Sequence, residues 1–228
     1  MFINRKIYQV WVAVLLPLLL TMQSAYAVNS ELCTPFKNAE IDQSLITNML
    51  KAAKDGHLYQ VKANSSKMGF CVESSIGVVK GQFKNFQGGI AFKGVDTRAM
   101  LSIDVDSLET SAAFIKNLLK SDDFFNVENY PDLLFVSTGF EWISNTRAVL
   151  KGELSMHGIT KPVAFYVEIT EIDGDLTDSN SILVKATTTV QRSEFGMSAL
   201  PSMVNDKVNL CMSVEAERYI TLNQTAMN

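Results

Sequence analysis

The feature that most constrains this chain is an apolar side chain at every second position, repeated from Leu58 nearly to the carboxyl end. The clearest run is Val163, Phe165, Val167 and Ile169. Successive side chains of a β-strand point to opposite faces, so this spacing predicts strands with one apolar face. About eight such segments follow one another, separated by turn residues and without a strand–helix–strand rhythm, which predicts an antiparallel barrel or sandwich. We favour the barrel, because long alternation on successive segments suits a sheet that closes on itself.

The interior of an eight-stranded barrel is either filled by side chains or holds one small ligand. The alternation assigns these residues to that interior, as candidates for lining a lumen: Phe70, Val72, Phe83, Phe92, Leu101, Ile103, Val105, Phe135, Leu154, Phe165, Val167, Val190, Phe195, Leu210 and Met212. Burying about ten CH₂-like groups of a ligand there yields roughly 8 kcal/mol before ordering costs. A filled, ordinary core is the competing interpretation for each position.

One stretch interrupts the alternation. Residues 119–131 read Leu-Lys-Ser-Asp-Asp-Phe-Phe-Asn-Val-Glu-Asn-Tyr-Pro, and the adjacent Phe124 and Phe125 carry too much apolar surface to leave in water. With Leu118 just before them, they predict an apolar closure over one end of the barrel and join the lumen candidates. This closure is either the entrance for a ligand or a sealed floor.

The amino-terminal residues 1–27 have the three parts of a secretory signal peptide. A positive start with Arg5 and Lys6 precedes an apolar run at residues 7–20, and Ala-Tyr-Ala ends at Ala27. A retained membrane anchor is the rival interpretation, but it needs about 20 continuous apolar residues. We therefore predict cleavage after Ala27 and a periplasmic or secreted product.

The charge of the exported chain disfavours two classes of partner. The full chain has 20 basic and 24 acidic residues; loss of Arg5 and Lys6 leaves 18 basic ones and a net charge of −6. Nucleic acid and anionic membrane surfaces attract basic patches, so neither is expected as a partner. The oligomeric state is left open, including a homodimer.

Two segments have helical rather than strand spacing. Residues 38–54 predict an amphipathic helix that packs on its own domain, and residues 112–119 predict a second, short helix. The first lies in an amino-terminal extension, residues 28–57. We expect it to precede one barrel domain at residues 58–228.

All three cysteines, Cys33, Cys71 and Cys211, lie in the exported part, where a disulfide persists. The odd count leaves one thiol over, and we expect Cys33 to pair with either Cys71 or Cys211 because fixing an added helix gains most from a covalent link. Three separated cysteines and two isolated histidines do not make a zinc ligand set, so no metal is expected.

Four motifs in this chain occur in the order and at the spacing of one family. They are Ser-Leu-Glu-Thr at 107–110, the stretch 119–131 continued by Phe135 and Ser137-Thr138, Gly-Glu-Leu-Ser-Met-His-Gly-Ile-Thr-Lys-Pro-Val at 152–163, and Arg-Ser-Glu-Phe-Gly-Met at 192–197. Over roughly residues 59–217 the chain resembles the YceI-like family of secreted, lipocalin-like proteins that bind polyisoprenoids. The resemblance implies an all-β, eight-stranded lipocalin-like barrel with a long apolar lumen for an isoprenoid chain, such as that of a quinone or its precursor.

These observations favour binding over catalysis. We expect a periplasmic or secreted protein that carries or sequesters an isoprenoid lipid, with no cofactor and no stable membrane insertion. The alternatives are an exported enzyme using Cys211 or a histidine, and a filled barrel that serves only interaction or stress protection. His57 follows a helix-ending glycine and His157 lies in a turn, which suits surface residues better than a catalytic set. Arg192, at a predicted strand end, is expected to form a buried ion pair rather than to contact a ligand head group.

Overall fold

The structure is a computed structural model that describes residues 43–92, 96–172 and 180–219. These residues form two helices, α1 (Gln43–Lys54) and α2 (Ala113–Lys120), and eleven strands. The strands are β1 (Leu58–Val61), β2 (Lys67–Ser74), β3 (Gly77–Phe83), β4 (Phe86–Ala91), β5 (Arg98–Asp104), β6 (Leu108–Thr110), β7 (Asp132–Trp142), β8 (Arg147–Met156), β9 (Ile159–Ile172), β10 (Ser181–Gln191) and β11 (Val204–Arg218). The predicted leader, Cys33 and the first residues of the predicted helix 38–54 lie outside the described residues.

The eleven strands trace eight paths around a closed antiparallel barrel. β1 continues into β2, β3 into β4, and β5 into β6, each pair separated by a short irregular segment. The order around the barrel is β1-β4-β5-β7-β8-β9-β10-β11, and β11 closes it by pairing with β1. The other half of β11 pairs with β2, where Leu210 lies opposite Phe70. The predicted eight-stranded barrel is thus confirmed.

The break between β5 and β6 changes one predicted strand. The alternation of apolar residues predicts a strand that continues through Val105. In the structure β5 ends at Asp104, and Val105 begins a 3-10 turn, Val105–Ser107. The Asp104 carboxylate accepts a hydrogen bond from the Asp106 backbone, and the Ser107 hydroxyl donates to the Asp104 carbonyl. These local bonds compete with the strand ladder and turn the chain. Val105 is fully buried there.

Helix α1 packs on the barrel it precedes. Leu45, Ala52 and Ala53 are buried, whereas Leu50 on the opposite side is 61% exposed. A side chain at Gly89 of β4 would lie 3.2 Å from the terminal methyl of Met49, so the strand approaches the helix closely where it has no side chain. Neither described helix is long and apolar enough to cross a membrane.

Candidate ligand-binding cavity

The barrel holds an apolar cavity at the end where β11 begins. Its volume, counted as the space that the centre of a water-sized sphere can occupy, is about 90 Å³. One buried water needs only ~10–15 Å³ of such space, so the cavity has room for a multi-atom ligand. Its wall consists of Met68, Gly69, Phe70, Val72, Phe83, Leu101, Ile103, Leu119, Phe124, Phe125, Leu133, Phe135, Leu154, Met156, Phe165, Val190, Arg192, Met197, Val204, Val208, Leu210, Cys211 and Met212.

A second apolar cavity continues towards the opposite end of the barrel. Its volume, counted in the same way, is about 70 Å³. Its wall consists of Val61, Gly89, Ile90, Phe92, Thr97, Ala99, Met100, Leu101, Phe135, Phe140, Leu150, Phe165, Val167, Ile169, Val184, Ala186, Met212 and Val214. Four residues belong to both walls, namely Leu101, Phe135, Phe165 and Met212. The two cavities are therefore neighbours along the barrel, separated by a narrow layer of side chains.

The stretch 119–131, called the plug below, closes the barrel beside the first cavity. The ring of Phe125 contacts Phe70 and Phe83 edge-to-face, with centroids 5.9 and 6.0 Å apart. Such pairs are favourable beyond the area that they bury. Phe124 is also buried, at 4% exposed. The two rings that sequence analysis assigned to a closure therefore form part of the cavity wall.

Backbone hydrogen bonds hold the plug in one conformation. The Ser121 carbonyl accepts from the backbones of Phe124 and Asn126, and the Asn126 carbonyl accepts from Tyr130. The Pro131 carbonyl accepts from Val105, which joins the plug to the end of β5. These bonds favour a sealed floor over an entrance at this place.

Arg192 is buried, at 5% exposed, and is the one charged residue among the described residues of the first cavity wall. Its guanidinium donates to the backbone carbonyls of Met197 (2.5 Å), Val204 (3.0 Å) and Asn205 (3.1 Å) and lies 5.9 Å from the ring centroid of Phe124. The expected buried ion pair is thus replaced by carbonyl acceptors. The guanidinium fixes the loop between β10 and β11, and three of its donors are taken.

Fifteen of the eighteen residues predicted to line a lumen lie in one or both cavity walls. The exceptions are Val105, Leu118 and Phe195. Val105 lies in the 3-10 turn. Leu118 is 37% exposed, because the short α2 presents the next residue, Leu119, to the interior instead. Phe195 is buried in a second 3-10 turn, Arg192–Phe195, beyond the end of β10.

Several apolar residues of the two cavity walls were not among those predicted to line a lumen. Met68, Met156 and Met197 are buried around the first cavity, and Phe140 and Ile169 line the second. Met68 and Phe70 lie on the same face of β2, so the alternation of apolar residues could have predicted that Met68 points into the barrel. Met197 lies in an irregular loop, where no periodicity reports which way a side chain points.

The histidines and cysteines that the structure describes form no hydrogen bond with one another. The Nδ1 atom of His157 lies 2.9 Å from the Phe195 carbonyl, so it carries the proton that is donated there, while Nε2 is buried and has no hydrogen-bond partner within the described part of the chain. Cys71 lies on β2 and Cys211 on the paired strand β11, where it borders the first cavity, and the two are not bonded to each other. Burial and the neighbouring Cys71 raise the pKa of the Cys211 thiol. Among the described residues, no three His, Cys, Asp or Glu side chains are grouped to hold a metal ion.

Two carboxylates face each other beside the plug. Asp132 on β7 is the cross-strand partner of Asp104 on β5. Burial raises the pKa of Asp132, and the charge of Asp104 raises it further. The Asp104 carboxylate also accepts a hydrogen bond from the Asn85 side chain at 3.1 Å. This like-charge pair lies at the rim, outside the cavity wall.

Comparison with known proteins gives a consistent result. Residues 59–216 match the YceI-like domain. A UPF0312 protein of Pseudomonas putida is 32% identical over 140 residues, which cover 60% of this chain and 72% of the relative. BcnA of Burkholderia cenocepacia superposes with a TM-score of 0.62 at 20% identity, over 68% of this chain and 98% of that one. A polyisoprenoid-binding domain from Saccharophagus degradans, implicated in plant cell wall breakdown, superposes with a TM-score of 0.56 at 15% identity, over 70% and 98%.

Proposed function

The chain belongs to the YceI-like domain family, and from that premise we propose that it binds an isoprenoid lipid inside its barrel. The observation that carries the proposal is the pair of apolar cavities that adjoin within one closed barrel. An apolar ligand gains most where nearly every contact is with carbon. The structural similarity to the polyisoprenoid-binding domain of Saccharophagus degradans supports the same class of ligand.

The length of the lined interior suits a long chain rather than a compact ligand. On β11, the inward residues run from Val204 in the first cavity to Val214 in the second. Ten residues of strand extend about 33 Å, and a strand tilted by about 40° covers roughly 25 Å of the barrel axis. The two adjoining cavities together occupy this length, which is comparable to that of an extended prenyl tail.

The polar content of the wall supports recognition of the tail more than of a head group. Three donors of Arg192 already bond to backbone carbonyls. Each buried CH₂ group of a tail contributes about 0.8 kcal/mol, so a long tail binds without a specific polar contact. We therefore propose that the protein carries or sequesters prenyl lipids, including isoprenoid quinones and their precursors, by their tails.

We propose binding without catalysis, in the periplasm or outside the cell. The location rests on the leader pattern at residues 1–27. The absence of a catalytic role is supported by His157, whose Nδ1 atom bonds a backbone carbonyl, and by Cys211, whose thiol donates to the backbone carbonyl of Gly69. Neither residue has a described partner that would activate it as a base or nucleophile.

The test is to purify the protein from the periplasm of the cells that produce it, without detergent, and to analyse it by native mass spectrometry and organic extraction. We expect a bound species whose extract contains a prenyl chain. Delipidated protein should regain thermal stability when an isoprenoid quinone is added; at 100 times Kd, binding contributes about 2.7 kcal/mol. A lipid-free protein that gains no stability from the quinone contradicts the proposal.

A matched pair of variants ties the result to the interior. Leu210→Trp fills the first cavity and should abolish the quinone-dependent stabilisation while the barrel stays folded. Asn209→Trp adds the same ring to the exposed side of the same strand and should leave the stabilisation unchanged. Equal effects of the two substitutions would place the ligand outside the barrel.

A further inference from the structure

The two cavities meet at one layer of side chains, which we call the waist: Leu101, Phe135, Phe165 and Met212. At its centre the rings of Phe135 and Phe165 are in edge-to-face contact, with centroids 5.2 Å apart and planes at 80°. Phe135 is 6% exposed and Phe165 is 2% exposed. An aromatic pair at this distance leaves no path for a prenyl chain between the rings. The lumen is therefore divided at the waist into two chambers.

The strand between the two aromatic residues shows why the waist lies there. Phe135 on β7 is opposite Leu154 of β8, and Phe165 on β9 is opposite Leu150 of the same strand. Gly152 stands between those two leucines on the inward face of β8. A Cβ atom at Gly152 would lie 2.5 Å from the Cε2 and Cζ atoms of Phe135. The Phe135 ring therefore fills the place that a larger residue would take.

We propose that the Phe135–Phe165 pair sets the length of the prenyl chain that binds best. This inference rests on the proposed function. A chain short enough for one chamber binds with the two rings in contact. A longer chain has to separate them, which costs their mutual contact and their packing on Gly152 and offsets the gain from each additional buried CH₂ group. Affinity for successive prenyl chains then stops rising once the first chamber is full.

The experiment compares farnesol, geranylgeraniol and solanesol, in order of increasing chain length, as ligands of the delipidated full-length mature protein. For the wild type we expect solanesol to bind no more tightly than geranylgeraniol. Phe135→Leu opens the waist, so it should raise the affinity for solanesol relative to farnesol about tenfold, equivalent to burying roughly two further CH₂ groups. Phe165→Leu should act in the same direction and provides a second variant if the first does not fold.

Phe86→Leu is the matched control. Phe86 is 8% exposed, much as Phe135 is, but it lies outside both cavity walls, so the same loss of volume should leave the ratio of affinities unchanged. Affinity that rises steadily to solanesol in the wild type, or an unchanged ratio in both waist variants, overturns the inference while leaving lipid binding intact. Failure of all three alcohols to bind the wild type and the variants overturns the proposed function and this inference together.

Discussion

The ring of Phe135 lies over the backbone of Gly152, at the position where a side chain of residue 152 would project into the barrel. β7 and β8 are paired neighbours, so neither residue can move away from the other without breaking the backbone hydrogen bonds between the two strands. The absence of a side chain at residue 152 is thus a packing requirement of the aromatic waist.

Gly152→Ala should destabilise the protein by about 1–3 kcal/mol, because the added methyl group would lie 2.5 Å from both the Phe135 ring and the Val136 carbonyl oxygen in a closed interior. Gly139→Ala is the control: it adds the same methyl group on the neighbouring strand, where the nearest side-chain atom is 4.0 Å away. Its effect should stay within about 0.5 kcal/mol. Urea denaturation of both variants measures the difference, and equal effects would contradict the packing argument.

Phe125→Ala should destabilise the protein by about 3–5 kcal/mol, since it leaves a void between Phe70 and Phe83. The plug cannot move in to fill this void, because its backbone hydrogen bonds hold it in place. Phe114→Ala removes the same group from α2, where the ring is 66% exposed, and should cost no more than about 0.5 kcal/mol. The midpoints of thermal unfolding of the two variants give the comparison. If Phe125→Ala unfolds at the wild-type temperature, the plug does not seal the barrel.

Arg192→Lys should lower the free energy of unfolding by about 3 kcal/mol, although the positive charge is retained. An ammonium group cannot reach the carbonyls of Met197, Val204 and Asn205 together, and buried carbonyls without donors are expensive. Arg147→Lys is the control, because Arg147 is 68% exposed in its pair with Glu168 and such pairs contribute little. Chemical denaturation should separate the two substitutions. A small effect at residue 192 would show that the guanidinium is not needed to fix the loop.

Asp132→Asn should stabilise the protein at neutral pH by about 0.5 kcal/mol, because partial burial disfavours the charged form of Asp132 and the like charge of Asp104 directly across the two strands repels it. The folded-state pKa of Asp132 is raised. Its favourable contribution is therefore fully present below the unfolded-state pKa and is lost as the pH rises through the folded-state value. The gain from Asp132→Asn should accordingly vanish in acid. Denaturation curves at acid and neutral pH measure it.

For Asp106→Asn we expect the opposite pH dependence of the change in stability. A hydrogen bond and the positive charge of Lys120, whose Nζ atom lies 2.7 Å from Oδ1, lower the pKa of Asp106. Its contribution is present above the unfolded-state pKa and is lost as the pH falls through the folded-state value. The substitution should destabilise slightly at neutral pH and have no effect in acid. The same pH dependence for Asp132→Asn and Asp106→Asn would refute the assignment.

A disulfide from Cys33 to Cys71 or Cys211 stays a prediction, since Cys33 lies outside the described residues. Non-reducing peptide mapping of the exported protein should find Cys33 linked and one thiol free. If the free thiol is Cys211, its raised pKa should make alkylation slow near neutral pH and faster in base. Alkylation of Cys33 before any reduction would exclude the disulfide.

The sequence predicted the barrel and most of its interior face, and the reason is the period of a strand. A slip of one residue would move Phe165 and its neighbours from the interior to solvent, so the pattern allows few registers. Periodicity does not distinguish an interior side chain that lines a void from one that contacts its neighbours on all sides. For that reason the division of the lumen at Phe135 could not be foreseen.

The remaining differences arise where local bonds or backbone acceptors decide the structure. Hydrogen bonds around Asp104 end β5 one residue early and take Val105 out of the strand. The eight residues of α2 are too few to specify its inward face, so Leu119 rather than Leu118 points inside. The partners of Arg192 are backbone carbonyls, which every residue type provides, and no sequence pattern identifies them.

The closing seam of the barrel joins parts of the chain that are made at very different times. The Ser66 hydroxyl bonds the backbone of Glu215, 149 residues later. At about 5–20 residues per second, roughly 7–30 s of synthesis separate the two, and pairing so distant in sequence is intrinsically slow. Without β11 the pairings with β1 and β2 that close the barrel are missing, and the apolar face of the other strands is left uncovered. Folding of this protein therefore competes with aggregation until β11 has paired. A chain that ends before β11 cannot close the barrel.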